Sequence, residues 1–219
     1  AGLSFLQTFI ESFSLRVLVF KTQQMGYSTK FHIGKFIVVL KTLAYYQLEG
    51  PKPKLSHFFR YKKFKTGSAK KIVEILAYCF MPNHFHLLLK QVKDGGITES
   101  LSKLSLSYTK YYNTKHFRVG PLFQGEFKAV LIESDEQLMH VSRYIHLNPL
   151  VSYLVKDLNM YEWSSYKEYA DNFSGLCSKD QVLGFFKSSE EYKRFVKDQI
   201  SYSLELEFLK HKLIDEDLA

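Results

Sequence analysis

Val73–Phe80 reads VEILAYCF, Met81-Pro82-Asn83 follows, and His84–Lys90 reads HFHLLLK. Two apolar runs joined by a Pro-Asn turn predict a pair of strands, the second running back against the first. In the second run His84 and His86 stand at i and i+2, so both imidazoles point to one face, about 7 Å apart at their α-carbons, while Phe85 points into the core. Working outward, Leu15–Phe20 reads as a strand and Gly34–Leu48 as a helix with apolar Ile37, Val38, Leu40, Leu43 and Ala44. Downstream, Thr98 can cap a helix carrying Leu101, Leu104, Tyr108 and Tyr111. Gly120-Pro121 and Gly125 punctuate the approach to a further strand, Phe127–Glu133. Ser134, with Gln137 at the capping-box position, opens a last helix that Pro149 is expected to end. The order β-α-β-β-α-β followed by a helix predicts an α+β ferredoxin-like sandwich, with helices on one face of a central antiparallel sheet. This domain is expected over residues 1–160. The helical C-terminal tail, 161–219, is expected as an accessory segment rather than a second core.

At 219 residues, 46% hydrophobic and 24% charged, the chain is long enough to bury a core and is neither disordered, collagenous nor fibrous. Lys and Arg number 30 against 22 Asp and Glu, a net charge of +8 that points to a polyanionic partner, nucleic acid first. The excess is local. Between Gly50 and Val73 there is no acid, while Lys52, Lys54, Arg60, Lys62, Lys63, Lys65, Lys70 and Lys71 match the whole net charge. Residues 50–72 therefore read as a basic insertion or loop around Pro51 and Pro53. His57, Phe58, Phe59, Tyr61 and Phe64 are interleaved with those cations. Rings beside Lys and Arg suit a single-stranded nucleic-acid groove, with bases stacked on the rings. The same composition also suits a solvated loop with a few rings tucked into the core. Cys79 and Cys177 are far apart and form no C-x-x-C pair, so both are expected as buried thiols in a reducing compartment. No apolar stretch approaches the roughly 18 residues a bilayer span needs, and Glu11 interrupts the apolar N-terminus. The expectation is a soluble, cytoplasmic protein with no membrane partner. The chain opens on Ala1 rather than Met, so its natural start is expected upstream or processed.

The chemistry concentrates in two places. Two imidazoles on one strand face leave most positions of a divalent ion open to substrate oxygens, although strands with two surface histidines are common. In the last helix Gln137, His140, Tyr144 and Asn148 are spaced three, four and four, forming a polar stripe opposite Leu138, Val141 and Ile145. Tyr144 and Asn148 can present a phenol and an amide to one phosphate. Spacing alone equally allows an exposed tyrosine with Asn148 as a cap before Pro149.

Four ordered motifs add to this reading. They are Met81-Pro82-Asn83-His84-Phe85-His86-Leu87-Leu88-Leu89, Ser107-Tyr108-Thr109-Lys110-Tyr111-Tyr112-Asn113, Gly120-Pro121-Leu122-Phe123-Gln124-Gly125 and Arg143-Tyr144-Ile145-His146-Leu147-Asn148-Pro149. Together they closely resemble the REP-associated tyrosine transposases, a branch of the single-tyrosine HUH transposases. The resemblance spans roughly Val73 to Val155 and continues more weakly through Trp163-Ser164-Ser165-Tyr166. It implies a ferredoxin-like HUH nuclease fold, with His84 and His86 as the metal-binding pair, Tyr144 as nucleophile and Asn148 as the amide ligand. It also implies Mg²⁺ or Mn²⁺ as cofactor and single-stranded or hairpin DNA as partner, cut and rejoined through a 5′-phosphotyrosine link. Monomer and homodimer both fit. Two other activities remain open: a DNA-binding descendant without turnover, and a metal-dependent hydrolase without covalent chemistry. One departure stands out, since the family's opening strand usually carries Asn-Arg-Gly and no match occurs before Lys35.

Overall fold

The apolar heptapeptide Leu15–Lys21, β1, supplies the strand around which the sheet is built. The computed structural model describes residues 15–21, 33–51, 54–60, 69–123 and 128–203. On one side β1 pairs with β5 (His84–Gln91) and on the other with β6 (Lys128–Ile132). Outside β5 lies β4 (Val73–Phe80), and every pairing is antiparallel, giving the order β4-β5-β1-β6. Helix α1 (Ile33–Tyr46) carries the chain away from β1 before β4 begins, and α3 (Gly96–Lys115) lies between β5 and β6 in the chain. Each connection skips one strand position, which the other unit fills. This is the split βαβ interleaving of the ferredoxin-like fold.

The expected loop at 50–72 contains structure at both ends. Helix α1 stops at Tyr46 rather than Leu48, because Leu48–Glu49 (β2) turns out to pair with Lys70–Lys71 (β3), Leu48 opposite Lys71 and Glu49 opposite Lys70. Between them α2 (Leu55–Arg60) lies along α1, with Phe58 edge-on to Tyr45 at 5.3 Å and the Lys41 ammonium donating to the Phe59 carbonyl at 3.2 Å. Two of the interleaved rings are thus half-buried on α1. Tyr61 and Phe64 lie outside the described residues.

Helix α3 begins at Gly96, two residues before Thr98. Gly95 makes the turn at φ 67°, and a β-carbon on Gly96 would collide with the Ile72 carbonyl, so this junction admits glycine where a threonine cap cannot sit. Helix α4 (Asp135–Val151) has the expected start: Ser134 Oγ accepts from the Gln137 N–H at 3.1 Å, and Gln137 Oε1 accepts from the Glu133 N–H at 2.8 Å. Its end differs from expectation. Pro149 sits inside the last turn, forfeiting one N–H, and the turn is closed by Ser152 N–H donating to Asn148 O at 2.9 Å and Leu154 N–H donating to Pro149 O at 2.9 Å.

Both faces of the sheet are covered, not one. Leu18, Phe85, Leu87 and Leu89 pack with Phe36, Val39 and Leu43 of α1 and Leu101, Leu104 and Tyr108 of α3. On the other face Leu76, Cys79 and Leu88 pack with Leu138 and Ile145 of α4 and with the C-terminal segment. That segment consists of a 3₁₀ turn (Leu158–Met160), α5 (Tyr166–Ala170), α6 (Asp180–Leu183) and α7 (Ser189–Lys197). It builds a second core where an accessory piece was expected. The physical reason is the exposed edge of β4, whose outward backbone needs partners. Ser165 N–H donates to Tyr78 O at 3.0 Å, Ser178 N–H to Ile75 O at 2.8 Å, Tyr169 Oη to Leu76 O at 2.6 Å and Tyr161 Oη to Phe80 O at 2.5 Å. At the centre His146 is fully buried, one ring nitrogen 2.7 Å from Tyr192 Oη and the other 2.8 Å from Ser165 Oγ, and burial pushes its pKa down to about 3. Both cysteines are free. Cys79 is buried as expected, whereas Cys177 is only half-buried. No helix among the described residues is long and apolar enough to cross a membrane.

Candidate active site

Strand alternation decides which way the paired histidines face. Phe85, Leu87 and Leu89 point toward α1 and α3, so His84, His86 and Leu88 point toward α4. Helix α4 crosses that face and brings Tyr144 over it: the ring centroids of His84 and His86 are 4.8 Å apart, and those of His86 and Tyr144 are 5.5 Å apart, edge to face in both cases. His84, Tyr144 and Asn148 line one cavity of about 370 Å³, and His86 adjoins two of them through its ring contacts with His84 and Tyr144. All four residues read from the sequence as metal ligands or nucleophile therefore meet in one place.

Their environments differ. Tyr144 is 55% exposed. The Asn83 amide oxygen can only accept, so His84 Nδ1 donates to it at 2.6 Å, and in a neutral ring this places the lone pair on Nε2, the tautomer a metal-ligating imidazole needs. Asn148 spends its amide nitrogen on the Tyr144 carbonyl at 2.7 Å, keeping its oxygen as acceptor. His86 is 2% exposed, and among the described residues neither of its ring nitrogens has a hydrogen-bond partner. Burial, reinforced by His84, pushes its pKa down to about 3, so the ring is neutral. Leaving such groups unsatisfied in a core costs about 1–3 kcal/mol each, and a cation would satisfy one of them. Two imidazoles and an amide oxygen thus fit a divalent ion whose remaining positions take substrate oxygens. Among the described residues no group of three or more His, Cys, Asp or Glu offers a competing metal site.

Sequence reasoning missed several cavity residues. Arg143 lines it, donating to His140 Nδ1 at 2.5 Å and to the Phe195 carbonyl at 3.3 Å, with its guanidinium 4.2 Å from the Phe195 ring. Gln199, Tyr202 and Ser203 close the wall from the C-terminal segment, and nothing in their spacing announces this. Gln137, placed on the polar stripe by its spacing, is used up in the helix cap.

Of the basic residues read from the sequence, the described Lys54, Lys70 and Lys71 do not line this cavity. Lys70 and Lys71 precede β4 at the end opposite His84, at least ~23 Å away by strand rise, since Val73 pairs with Gln91, seven positions along β5 from His84. Lys71 Nζ donates to Ser178 Oγ at 2.9 Å, and Lys54 is exposed at the start of α2. Lys52, Lys62, Lys63, Lys65 and the Arg60 side chain lie outside the described residues.

A ferredoxin-like sheet that turns a His-x-His pair toward a helix-borne tyrosine defines the class, an α+β fold of the HUH nuclease type. Residues 56–148 match the family model described as Transposase IS200 like. The chain also matches the solved structure of a REP-associated tyrosine transposase bound to a REP hairpin, with a TM-score of 0.53 and 12% identity, covering 74% of this chain and 83% of that one. No curated protein matches. The fold is thus the one implied by the sequence motifs, and residues 56–148, less than half of the chain, are similar to the IS200-like transposases. The matched segment begins at Ser56, downstream of β1 and α1, the region that lacks the Asn-Arg-Gly signature.

Proposed function

We propose that this chain is a DNA-binding transposase that cuts and rejoins single-stranded hairpin or palindromic DNA through a covalent link to Tyr144. The observation that carries the reading is His86, a buried neutral imidazole with both nitrogens unpartnered among the described residues, set against both His84 and the ring of Tyr144. In the forward step the Tyr144 hydroxyl oxygen attacks the scissile phosphorus, and the bond to the 3′-oxygen breaks. The products are a 5′-phosphotyrosine and a free 3′-hydroxyl, which takes the proton given up by the phenol. Attack by another 3′-hydroxyl reverses the step, so cleavage and joining share one barrier and need no external energy source. A phenol is a weak nucleophile at neutral pH, and Mg²⁺ or Mn²⁺ held by His84, His86 and Asn148 supplies the charge that polarises the phosphate. The edge contact with His86 orients the Tyr144 ring, and the Asn148 bond to the Tyr144 carbonyl fixes the local helix geometry.

The test is an end-labelled imperfect hairpin with single-stranded flanks, incubated with the protein and Mn²⁺. A labelled band at the combined mass on a denaturing gel, abolished by EDTA, is the expected result. Cut DNA without that band means hydrolysis without a covalent step, and binding without either product means an inactive descendant.

The basic residues at positions 52, 54, 60, 62, 63, 65, 70 and 71 are assigned to DNA phosphates. Neutralising Lys62, Lys63 and Lys65 together is expected to flatten the slope of log affinity against log salt by about two, at ~0.7 per lost contact on single strands. Titrating affinity across a salt series measures it, and an unchanged slope removes this segment from the DNA path.

A further inference from the structure

The loop after α3 breaks a rule of helix endings. Arg118 N–H donates to Asn113 O at 2.9 Å, the six-to-one bond of a Schellman ending. The residue in the left-handed position of that motif is usually glycine, but here it is Phe117 at φ 52°. A bulky residue in this region is a conformational outlier. No burial repays it, because Phe117 is 99% exposed, and Val119 beside it is 93% exposed.

The tip is nevertheless firmly held. Arg118 donates to Asn113 Oδ1 at 3.1 Å and lies 5.8 Å from the Tyr112 ring, while Asn113 Nδ2 donates to Gly120 O at 2.8 Å. Its surroundings carry one sign of charge: between Glu99 and Glu126 there is no acid, and Lys115 and Arg118 flank the exposed ring. Phe123 anchors the loop in the fold by packing on Phe85, the residue between the paired histidines, with ring centroids 6.0 Å apart. The chain then enters β6 at Lys128, which pairs with Val19, itself paired with His86. The tip therefore stands at the same end of the sheet as the candidate active site, on the α3 side.

We propose that Phe117 is a stacking platform for an unpaired base of the DNA strand that leads to Tyr144, with Lys115 and Arg118 holding the adjacent phosphates. The proposal rests on the function proposed above and names a contact at that end of the molecule. An exposed ring on a held backbone, with cations beside it in the chain, is what single-stranded nucleic acid uses, because every base offers a π-face and the interaction tolerates sequence. Strain maintained without burial is the mark of a position kept for something other than stability.

Phe117→Gly separates the two roles. It relieves the left-handed strain and should raise the melting temperature by about 2–4 °C. It should also weaken binding of labelled oligo-dT, and of the hairpin with single-stranded flanks, by roughly tenfold, the size of one base–aromatic stack. Phe117→Trp should bind like the original chain. Unchanged affinity in Phe117→Gly overturns the platform, and does so while adduct formation by the original chain leaves the proposed function standing. A change in mass by light scattering with unchanged DNA affinity assigns the tip to a second copy of this chain and also overturns it. If the original chain binds neither DNA, the platform and the transposase reading fall together.

Discussion

Tyr144→Phe should bind hairpin DNA within a few-fold of the original chain and form no covalent adduct, a loss of at least ~10³-fold in rate. The ring contact with His86 at 5.5 Å survives in phenylalanine, as does the main-chain carbonyl that Asn148 donates to, so packing and local helix geometry are preserved. Only the hydroxyl is removed. Because Tyr144 is more than half exposed, its loss leaves no buried group unpaired, and the melting temperature should not move. The measurement is a time course on denaturing gels beside an affinity titration of the same preparation. An adduct that persists in this variant eliminates Tyr144 as nucleophile and leaves it as an exposed residue near a helix end.

His146→Ala should cost about 2–5 kcal/mol of stability, lowering the melting temperature by roughly 5–15 °C. The imidazole is fully buried, bonded to Tyr192 and Ser165, and edge-on to Tyr169 at 4.9 Å, so truncation opens a cavity and removes a partner from two hydroxyls. The pH dependence identifies the cause. His146 is depressed to about 3 in the folded chain, against ~6.5 when unfolded. Between those values the unfolded chain binds a proton that the folded chain refuses. The neutral imidazole's contribution is therefore complete above pH ~6.5 and declines on acidification toward pH 3, by up to ~1.4 kcal/mol per pH unit. The variant lacks this contribution, so melts at pH 7.5 and pH 5 should differ less for it than for the original chain. His86, depressed in the same direction, keeps its own share in both. Equal pH sensitivity in the two chains would show that His146 is not the buried neutral group described.

Much of this is legible in the residues themselves. Two unbroken apolar runs around Pro82-Asn83 can hardly be anything but a buried hairpin, and the i, i+2 histidines inherit their common face from strand geometry. Ser134 and Gln137 announce the start of α4 because a capping box is a local interaction. What escaped detection depends on distant partners. Leu48–Glu49 and Lys70–Lys71 are too short and too polar to read as strands, and they pair only because the chain returns to that point. The second core is carried by Tyr161, just beyond a 3₁₀ turn, by Tyr166 and Tyr169 on a five-residue helix too short to show a period, and by Tyr192 on α7. The hydroxyls of Tyr161 and Tyr169 suit them to an edge strand whose position the local sequence does not state. Gln199, Tyr202 and Ser203 reach the cavity for the same reason.

The central place of β1 separates the part of the gene that specifies chemistry from the part needed to make a foldable protein. A fragment cut to residues 56–148 keeps both histidines, the tyrosine and the asparagine, but loses the strand to which β5 and β6 are both bonded. It would expose two raw sheet edges and should aggregate rather than serve as a minimal module. Conversely, β1 meets its neighbours through backbone groups that any strand-forming sequence provides. Beyond its inward-facing apolar positions, Leu18 above all, its letters can vary without loss of the architecture.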